Sequence, residues 1–232
     1  MNSTKTKPPA SFLDGAGPAT QLTARVVDVF GDRPRVHGYD LDGELSPALS
    51  PSELALLTLT GELPDPVARR RFARAWSMLA AFGVDEPPTH AGLLATACGA
   101  EPMAAASTAM VVLCQRAGAD VAAHRALLRW SEAPSGAPPT CEHGDGVPAA
   151  IVASLDGLLP DDGPARPLRD ARLCRVGWAL ALSGLAGLRG DGPALSLLLL
   201  GRAPSVLAET WAAPCGDLSQ IPLNVPPLEY VE

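Results

Sequence analysis

Residues 49–64, LSPSELALLTLTGELP, carry the signals that a helix needs at both of its ends. Ser50 is a residue type that caps helix N-termini, Pro51 takes the first helical position, and Glu53 completes a capping box. An apolar run follows, and Gly61 is the residue type that most often ends a helix. The stretch therefore predicts a helix that begins after Ser50 and stops at Gly61.

The same start signals return directly afterwards, with Asp65 in the capping position and Pro66 at the first helical position. Apolar residues then recur at the spacing of one buried helix face, namely Ala68, Phe72, Ala75, Trp76 and Leu79. The other face carries four arginines, which we expect to be solvated: Arg69, Arg70, Arg71 and Arg74.

Further helices are predicted wherever Pro or Asp opens an apolar stretch. They cover residues 88–98, 102–117, 120–130, 170–188, 193–200 and 204–212. Only RVVDVF, residues 25–30, and VHGYDLD, residues 36–42, could form short strands. Residues 132–169 are rich in Pro and Gly, so they predict a loop with one small helix. The fold class is therefore all-α apart from those two segments.

Composition supports closely packed helices and excludes some functions. Hydrophobic residues make up 47% of the chain but aromatic residues only 4%, so the core must consist mainly of Ala, Leu and Val. The net charge is −7, and no cluster of Lys and Arg is interleaved with aromatic residues. Binding to nucleic acid phosphates needs concentrated positive charge, so we expect no nucleic-acid partner.

Cysteine use and the chain's first residues predict a cytoplasmic protein. The five cysteines form no CxxC pair, and Cys98, Cys114 and Cys174 lie in apolar helical patterns, where we expect reduced core thiols. Residues 1–22 lack the apolar segment of a signal peptide and predict a disordered arm. The longest apolar run, ALSLLLLG, is too short for a membrane span.

Three stretches resemble the citrate synthase family. VHGYDLDGELSPALSPSELALLTLTGELPDP is similar to the front of these proteins, and PPTHAGLLATACGAEPMAAASTAMVVLC to their paired helices after the first catalytic histidine. LLLLGRAPSVLAETWAAPCGDLSQIPLNVPPLEYVE resembles their close, above all that of the shorter citryl-CoA lyase-like members. By this resemblance, residues 23–131 and 170–232 form a helical large domain, and residues 132–169 are what remains of the small domain.

The resemblance also implies a chemistry and an assembly. In the family, an enolised acyl-CoA attacks a 2-oxo acid, or the reverse cleavage runs. Two histidines and an aspartate move protons, and arginines bind the substrate carboxylates. The large domain pairs face to face with another copy, so the resemblance implies a homodimer or a heteromer with a longer citrate synthase-like homologue.

The sequence departs from the family where the catalytic groups belong. Phe82 stands at the place of the first catalytic histidine, and Val176 at the place of the catalytic aspartate. His124 comes a few residues later than the second histidine is expected. By this comparison, the sequence lacks the residues that transfer protons in the family.

Arg202 matches the family's carboxylate-binding arginine and permits two interpretations. As a binding residue, its guanidinium would hold one carboxylate of a small di- or tricarboxylate. As a structural residue, it would cap carbonyls or pair with an acidic neighbour. Glu209 replaces the family's helper histidine and would repel a second carboxylate, which favours the structural interpretation.

Two histidines and one loop complete the site predictions. His37 replaces the arginine of an RGY-type turn, and His90 lies at the start of a helix, where a structural role is the commoner one. Cys141 and His143 lie in a Gly/Pro-rich loop without a further ligand pair at metal spacing, so no metal site is predicted.

Three functions follow from these residues. The leading hypothesis is a catalytically divergent pseudoenzyme or accessory subunit in citryl-type thioester metabolism. The second is a repurposed enzyme that binds a small carboxylate or acyl thioester through Arg202, with His90, His37 and Glu209 as the available acid–base groups. No cofactor is assigned by the sequence, and acyl-CoA is the one that the resemblance allows. The third is a carboxylate sensor.

Overall fold

The computed structural model describes residues 26–29, 33–140 and 147–212 of the 232-residue chain. The chain divides into two compact units, residues 1–48 and residues 49–232. In the first unit, three short antiparallel strands form a sheet in the order β1 (Val27–Asp28), β2 (Arg35–Val36) and β3 (Tyr39–Asp40). β1 and β3 lie within the two segments for which the sequence predicts strands, and β2 begins one residue before the second of them.

A two-residue turn joins β2 to β3. His37 and Gly38 have φ values of 49° and 89°, the left-handed backbone of a type I′ hairpin turn. Asp40 then caps a single turn of π-helix, Leu41–Leu45, by accepting hydrogen bonds from the amides of Asp42 and Gly43. The Gly43 amide and the guanidinium of Arg33 hold the pKa of Asp40 below its usual range.

The second unit is helical, as the sequence predicts. Its helices are α1 (Pro51–Thr60), α2 (Pro66–Leu79), α3 (Pro87–Ala97), α4 (Pro102–Ala123), α5 (Arg125–Glu132), α6 (Ala149–Ala153), α7 (Arg175–Leu185) and α8 (Asp191–Ala212). A turn of 3-10 helix, Arg166–Asp170, precedes α7. Between α5 and α7, the described residues thus hold only one short helix and this turn.

The predicted caps of α1 and α2 are present. The Ser50 amide donates to Glu53 Oε2 at 2.7 Å, and Gly61 ends α1 with φ 78°. Asp65 Oδ1 accepts from the amides of Val67 and Ala68 at 2.7 and 2.8 Å. Because these N–H groups stabilise the charged carboxylate, the Ala68 amide above all, the pKa of Asp65 is lowered.

The helices bury two apolar clusters. α2 packs against α1, α7 and α8, and α7 also packs against α5. The large cluster between them includes Phe72, Leu127, Trp178, Leu180 and Leu197. The small cluster lies where α4 meets α8 and consists of Phe82, Ala109, Leu113 and Val206.

Helix α8 differs from the prediction, since it runs unbroken through residues predicted to separate two helices. Pro204 lies inside it and cannot donate to the carbonyl four residues earlier. Tertiary packing keeps the helix intact there, because Gly201, Arg202 and Val206 are all buried. A Cβ at Gly201 would lie 2.6 Å from the Leu79 Cβ, so α8 and α2 approach closely at this turn.

Three other predictions need correction. α4 continues to Ala123, and α7 begins at Arg175 instead of residue 170, because tertiary contacts set helix ends more strongly than local signals. Cys98 and Cys114 are exposed and lie outside the core, whereas Cys174 is buried as expected.

Arg71 is half-buried instead of solvated. It donates to the main-chain oxygens of Leu158 and Leu185 at 2.7 and 3.2 Å. Burial lowers its pKa, and the two carbonyls replace the water that its guanidinium loses.

Candidate functional site at Arg202

Arg202 lies on the buried side of α8 and is only 4% exposed. Its Nη1 donates to Asp120 Oδ2 at 2.7 Å, which makes a charge-assisted hydrogen bond across the α4–α8 contact. Asp120 is itself 9% exposed. The guanidinium for which the sequence offers a carboxylate-binding interpretation thus has a carboxylate of its own chain as its partner.

Two further groups complete this ion pair. Arg116 lies one turn before Asp120 on α4, and its Nε is 3.5 Å from Asp120 Oδ1. The Phe82 ring lies against the other side of Arg202, with 4.8 Å between the guanidinium carbon and the ring centroid. An aromatic ring at this distance attracts a cation through its negative face, so Phe82 stabilises the charge without supplying a proton.

The energetics of such a pair are asymmetric. Moving two charges out of water costs several kcal/mol per ion, and their attraction returns this only with good geometry. Removing one partner typically costs about 3–5 kcal/mol, because the other charge is left buried and uncompensated. Breaking the ion pair between Arg202 and Asp120 is therefore unfavourable, even if the pair itself adds little net stability.

Within the described residues, Glu209, His90, His37 and Val176 make neither a hydrogen bond nor an ion pair with Arg202. Glu209 is exposed on α8, seven residues and about 10 Å along the helix axis from Arg202. His90 is half-buried on α3, and Val176 is half-buried in the first turn of α7. His37 belongs to the hairpin turn of the N-terminal unit.

A second polar pair joins the end of α4 to the start of α7. His124 Nδ1 lies 2.8 Å from the main-chain oxygen of Asp120, and His124 Nε2 lies 3.2 Å from the Sγ of Cys174. That sulfur also accepts from the amide of Gly177 at 3.3 Å and so caps α7. The sulfur of Cys174 raises the pKa of His124, despite the opposing effect of burial.

Sequence reasoning missed Asp120 and the partnership of His124 with Cys174, although a signal was present. The buried face of α4 includes Leu113, Ala117, Asp120 and Val121. A charged residue on such an apolar stripe needs a buried partner, so Asp120 predicts a cation on a neighbouring helix.

Two kinds of feature are absent from the described residues. No group of three or more His, Cys, Asp and Glu side chains is arranged to hold a metal ion there. None of the helices in this part of the chain combines the length and hydropathy that a membrane span needs. Cys141 and His143 lie outside the described residues.

Comparison with known proteins identifies the fold. No protein-family model matches the sequence, and none of the curated proteins matches it. The structure is similar to that of citryl-CoA lyase from Hydrogenobacter thermophilus, with a TM-score of 0.65 and 13% sequence identity. The match covers 91% of this chain and 97% of that chain. The prediction of a citrate synthase-like helical fold is therefore confirmed.

Proposed function

We propose that this chain is a catalytically divergent citrate synthase-like protein that serves as an accessory subunit in citryl-type thioester metabolism. The observation that carries the proposal is the buried pair of Arg202 and Asp120 beneath Phe82. Arg202 is only 4% exposed, and its charge is already compensated by an internal carboxylate, so it is poorly placed to bind a substrate carboxylate. We place it in the cytoplasm, as the cysteine pattern predicts.

The groups around Arg202 support a structural role. A carbon–carbon bond reaction of this kind needs a base for the α-proton and a donor for the enolate oxygen. The phenyl ring of Phe82 can be neither. Among the described residues, the hydrogen-bond and ion-pair partner of Arg202 is Asp120. Arg202 therefore stabilises the contact between α4 and α8.

An accessory subunit also needs a surface for its partner. The outer side of α4 exposes small or apolar residues without a charge: Met103, Ala104, Ser107, Thr108, Val111 and Cys114. Met103 is 72% and Val111 59% exposed. A face of this kind favours pairing with another helical face, either of a second copy or of a longer homologue.

Thermal denaturation with citrate, oxaloacetate, malonate and acetyl-CoA tests the proposal. We expect no rise in melting temperature and no oxaloacetate release from citryl-CoA by the chain alone. A ligand at 100 times its Kd would add about 2.7 kcal/mol, which such a measurement detects. The comparison uses the wild type, Arg202→Ala and, as the matched control, Arg125→Ala, which removes an exposed arginine.

One outcome would contradict the proposal. If an anion stabilises the wild type and Arg125→Ala but not Arg202→Ala, Arg202 binds carboxylates. Stabilisation without turnover would then indicate a carboxylate sensor, and stabilisation with turnover a repurposed enzyme.

A further inference from the structure

We propose that the cavity between the α1–α2 corner and the end of α7 binds a free aliphatic α-amino acid as its zwitterion. One wall of this corner cavity consists of residues 60, 62–65 and 68, and the other of residues 185–187 and 189. Its volume is about 480 Å³, within the usual range of small-molecule sites. Arg202 is not among the lining residues, so the inference is independent of the accessory role.

The two walls carry opposite charges that do not neutralise each other. Glu62 lines the first wall and Arg189 the second, and both residues are exposed. Neither takes part in an ion pair within the described part of the chain. Arg189 Nη1 makes a long hydrogen bond of 3.5 Å to the main-chain oxygen of Gly184. A ligand with both an ammonium and a carboxylate would therefore find an uncompensated partner for each group.

Asp65, the other acidic residue of the first wall, differs from Glu62. Its Oδ1 already accepts from the amides of Val67 and Ala68, and these bonds keep it ionised. Its charge is thus compensated by the start of α2. Glu62 is left as the acidic group available to a ligand ammonium.

The walls of the corner cavity are fixed before a ligand arrives. α2 packs against α7, and Arg71 Nη1 donates to the main-chain oxygen of Leu185 at 3.2 Å, which joins the two walls. Gly61 and Gly187 turn the chain with φ values of 78° and 100°, which favour glycine. Binding therefore need not order the backbone, and this lowers the entropy that association costs.

The apolar part of the lining indicates the kind of side chain. Leu63 is 50% exposed on the first wall, and Ala68 and Ala186 also line the cavity. An aliphatic side chain that covers Leu63 removes apolar surface from water, which is favourable. The cavity therefore suits leucine better than glycine, which has no side chain to contribute.

The test measures dissociation constants by saturation-transfer NMR on the full chain. The ligands are L-leucine, glycine, N-acetyl-L-leucine, which lacks the ammonium, and L-leucinamide, which lacks the carboxylate. We expect leucine to bind at least about tenfold more tightly than either analogue, because each analogue loses one charge-assisted contact. If the acetylated analogue binds as tightly, the cavity is an anion site, and if the amide does, it is a cation site. Either result, a preference for glycine, or no leucine binding at millimolar concentration would overturn the proposal.

Two variants locate the site. Arg189→Gln and Glu62→Gln should each raise the Kd of leucine at least about tenfold, since each removes one charge. Both residues are exposed, so the variants should keep the melting temperature of the wild type without ligand. Arg129→Gln and Glu101→Gln are the matched controls, because they remove exposed charges outside the cavity and should leave the Kd unchanged. Leucine binding that survives both cavity variants, or that the controls weaken equally, would also refute the proposal.

This test and the carboxylate test above give separable results. Loss of leucine binding in Arg189→Gln concerns the corner cavity, whereas loss of citrate binding in Arg202→Ala concerns the α4–α8 contact. Either proposal can therefore fail while the other stands.

Discussion

Asp120 determines what Arg202 can do, because it supplies the counter-charge that a substrate would otherwise bring. The pair is buried, and the two residues are 82 positions apart in sequence. Its net contribution to stability is smaller than the cost of breaking it, since hydration lost by both groups offsets their attraction. Single and double substitutions therefore have different consequences.

Asp120→Ala should lower the free energy of unfolding by about 3–5 kcal/mol, because it leaves the buried guanidinium of Arg202 without its partner. Arg202→Ala should cost less than that but more than Arg125→Ala, because Arg116 Nε stays 3.5 Å from the Asp120 carboxylate. The double variant should lose less than the sum of the two, since neither charge then remains. Urea denaturation measures all three values. Arg125→Ala is the control and should cost less than about 1 kcal/mol, because its partner Asp191 is about half exposed.

A loss for Arg202→Ala as small as that for Arg125→Ala would show that the buried pair is not structural. Additive losses in the double variant would show that the two residues act separately.

The sequence alone indicates which single residues matter, but it does not show which of them contact one another. The motif around Arg202 singles out that residue, and Asp120 stands out on the apolar face of α4. That the two meet depends on how α4 and α8 pack, which no local signal encodes. The same applies to His124 and Cys174, which are 50 positions apart.

At the scale of elements, the starts of α1 and α2, which carry side-chain caps, follow from the sequence, whereas the start of α7 and the unbroken course of α8 do not. Ser50 and Asp65 act through amides two or three residues away, so their caps follow from sequence. Pro204 predicts a break in α8 by the same local reasoning, but packing against α2 and α4 overrides it.

Two Gly→Ala substitutions, one at the α2–α8 contact and one at an open position on α4, test the packing around α8. Gly201→Ala should lower the free energy of unfolding by about 1–3 kcal/mol, because the added methyl would lie 2.6 Å from the Leu79 Cβ and overpack the contact. Gly118→Ala in α4 meets nothing within 4 Å, so it should stabilise the protein by about 0.5–1 kcal/mol through helix propensity. Chemical denaturation of both variants checks the contrast.

Equal effects in the two variants would mean that helix propensity, and not the α2–α8 contact, governs position 201. A stable Gly201→Ala would also mean that α2 can move away from α8 at little cost.

At the scale of the whole molecule, we propose that the protein assembles through the outer face of α4. Val111 lies near the middle of this uncharged face, on a helix whose opposite side is buried. We expect a dimer, or a complex with a co-expressed citryl-CoA lyase homologue, by light scattering coupled to size exclusion. Val111→Glu should dissociate either assembly, because it buries an unpaired carboxylate at the interface.

Arg70→Glu is the control, since it places the same carboxylate at an exposed position on α2. An assembly that survives Val111→Glu, or a wild type that is monomeric both alone and with the homologue, would contradict this role for α4.

Asp120 contacts two neighbours, one through its side chain and one through its main chain. Its carboxylate reaches Arg202, whereas its main-chain oxygen reaches His124. A substitution of Asp120 that preserves the helix changes the contact with Arg202. It leaves the contact with His124 in place, because every amino acid has a main-chain carbonyl. During divergence, the ion pair can therefore be lost while the imidazole keeps its orientation, but a shift of the helix end would disturb both at once.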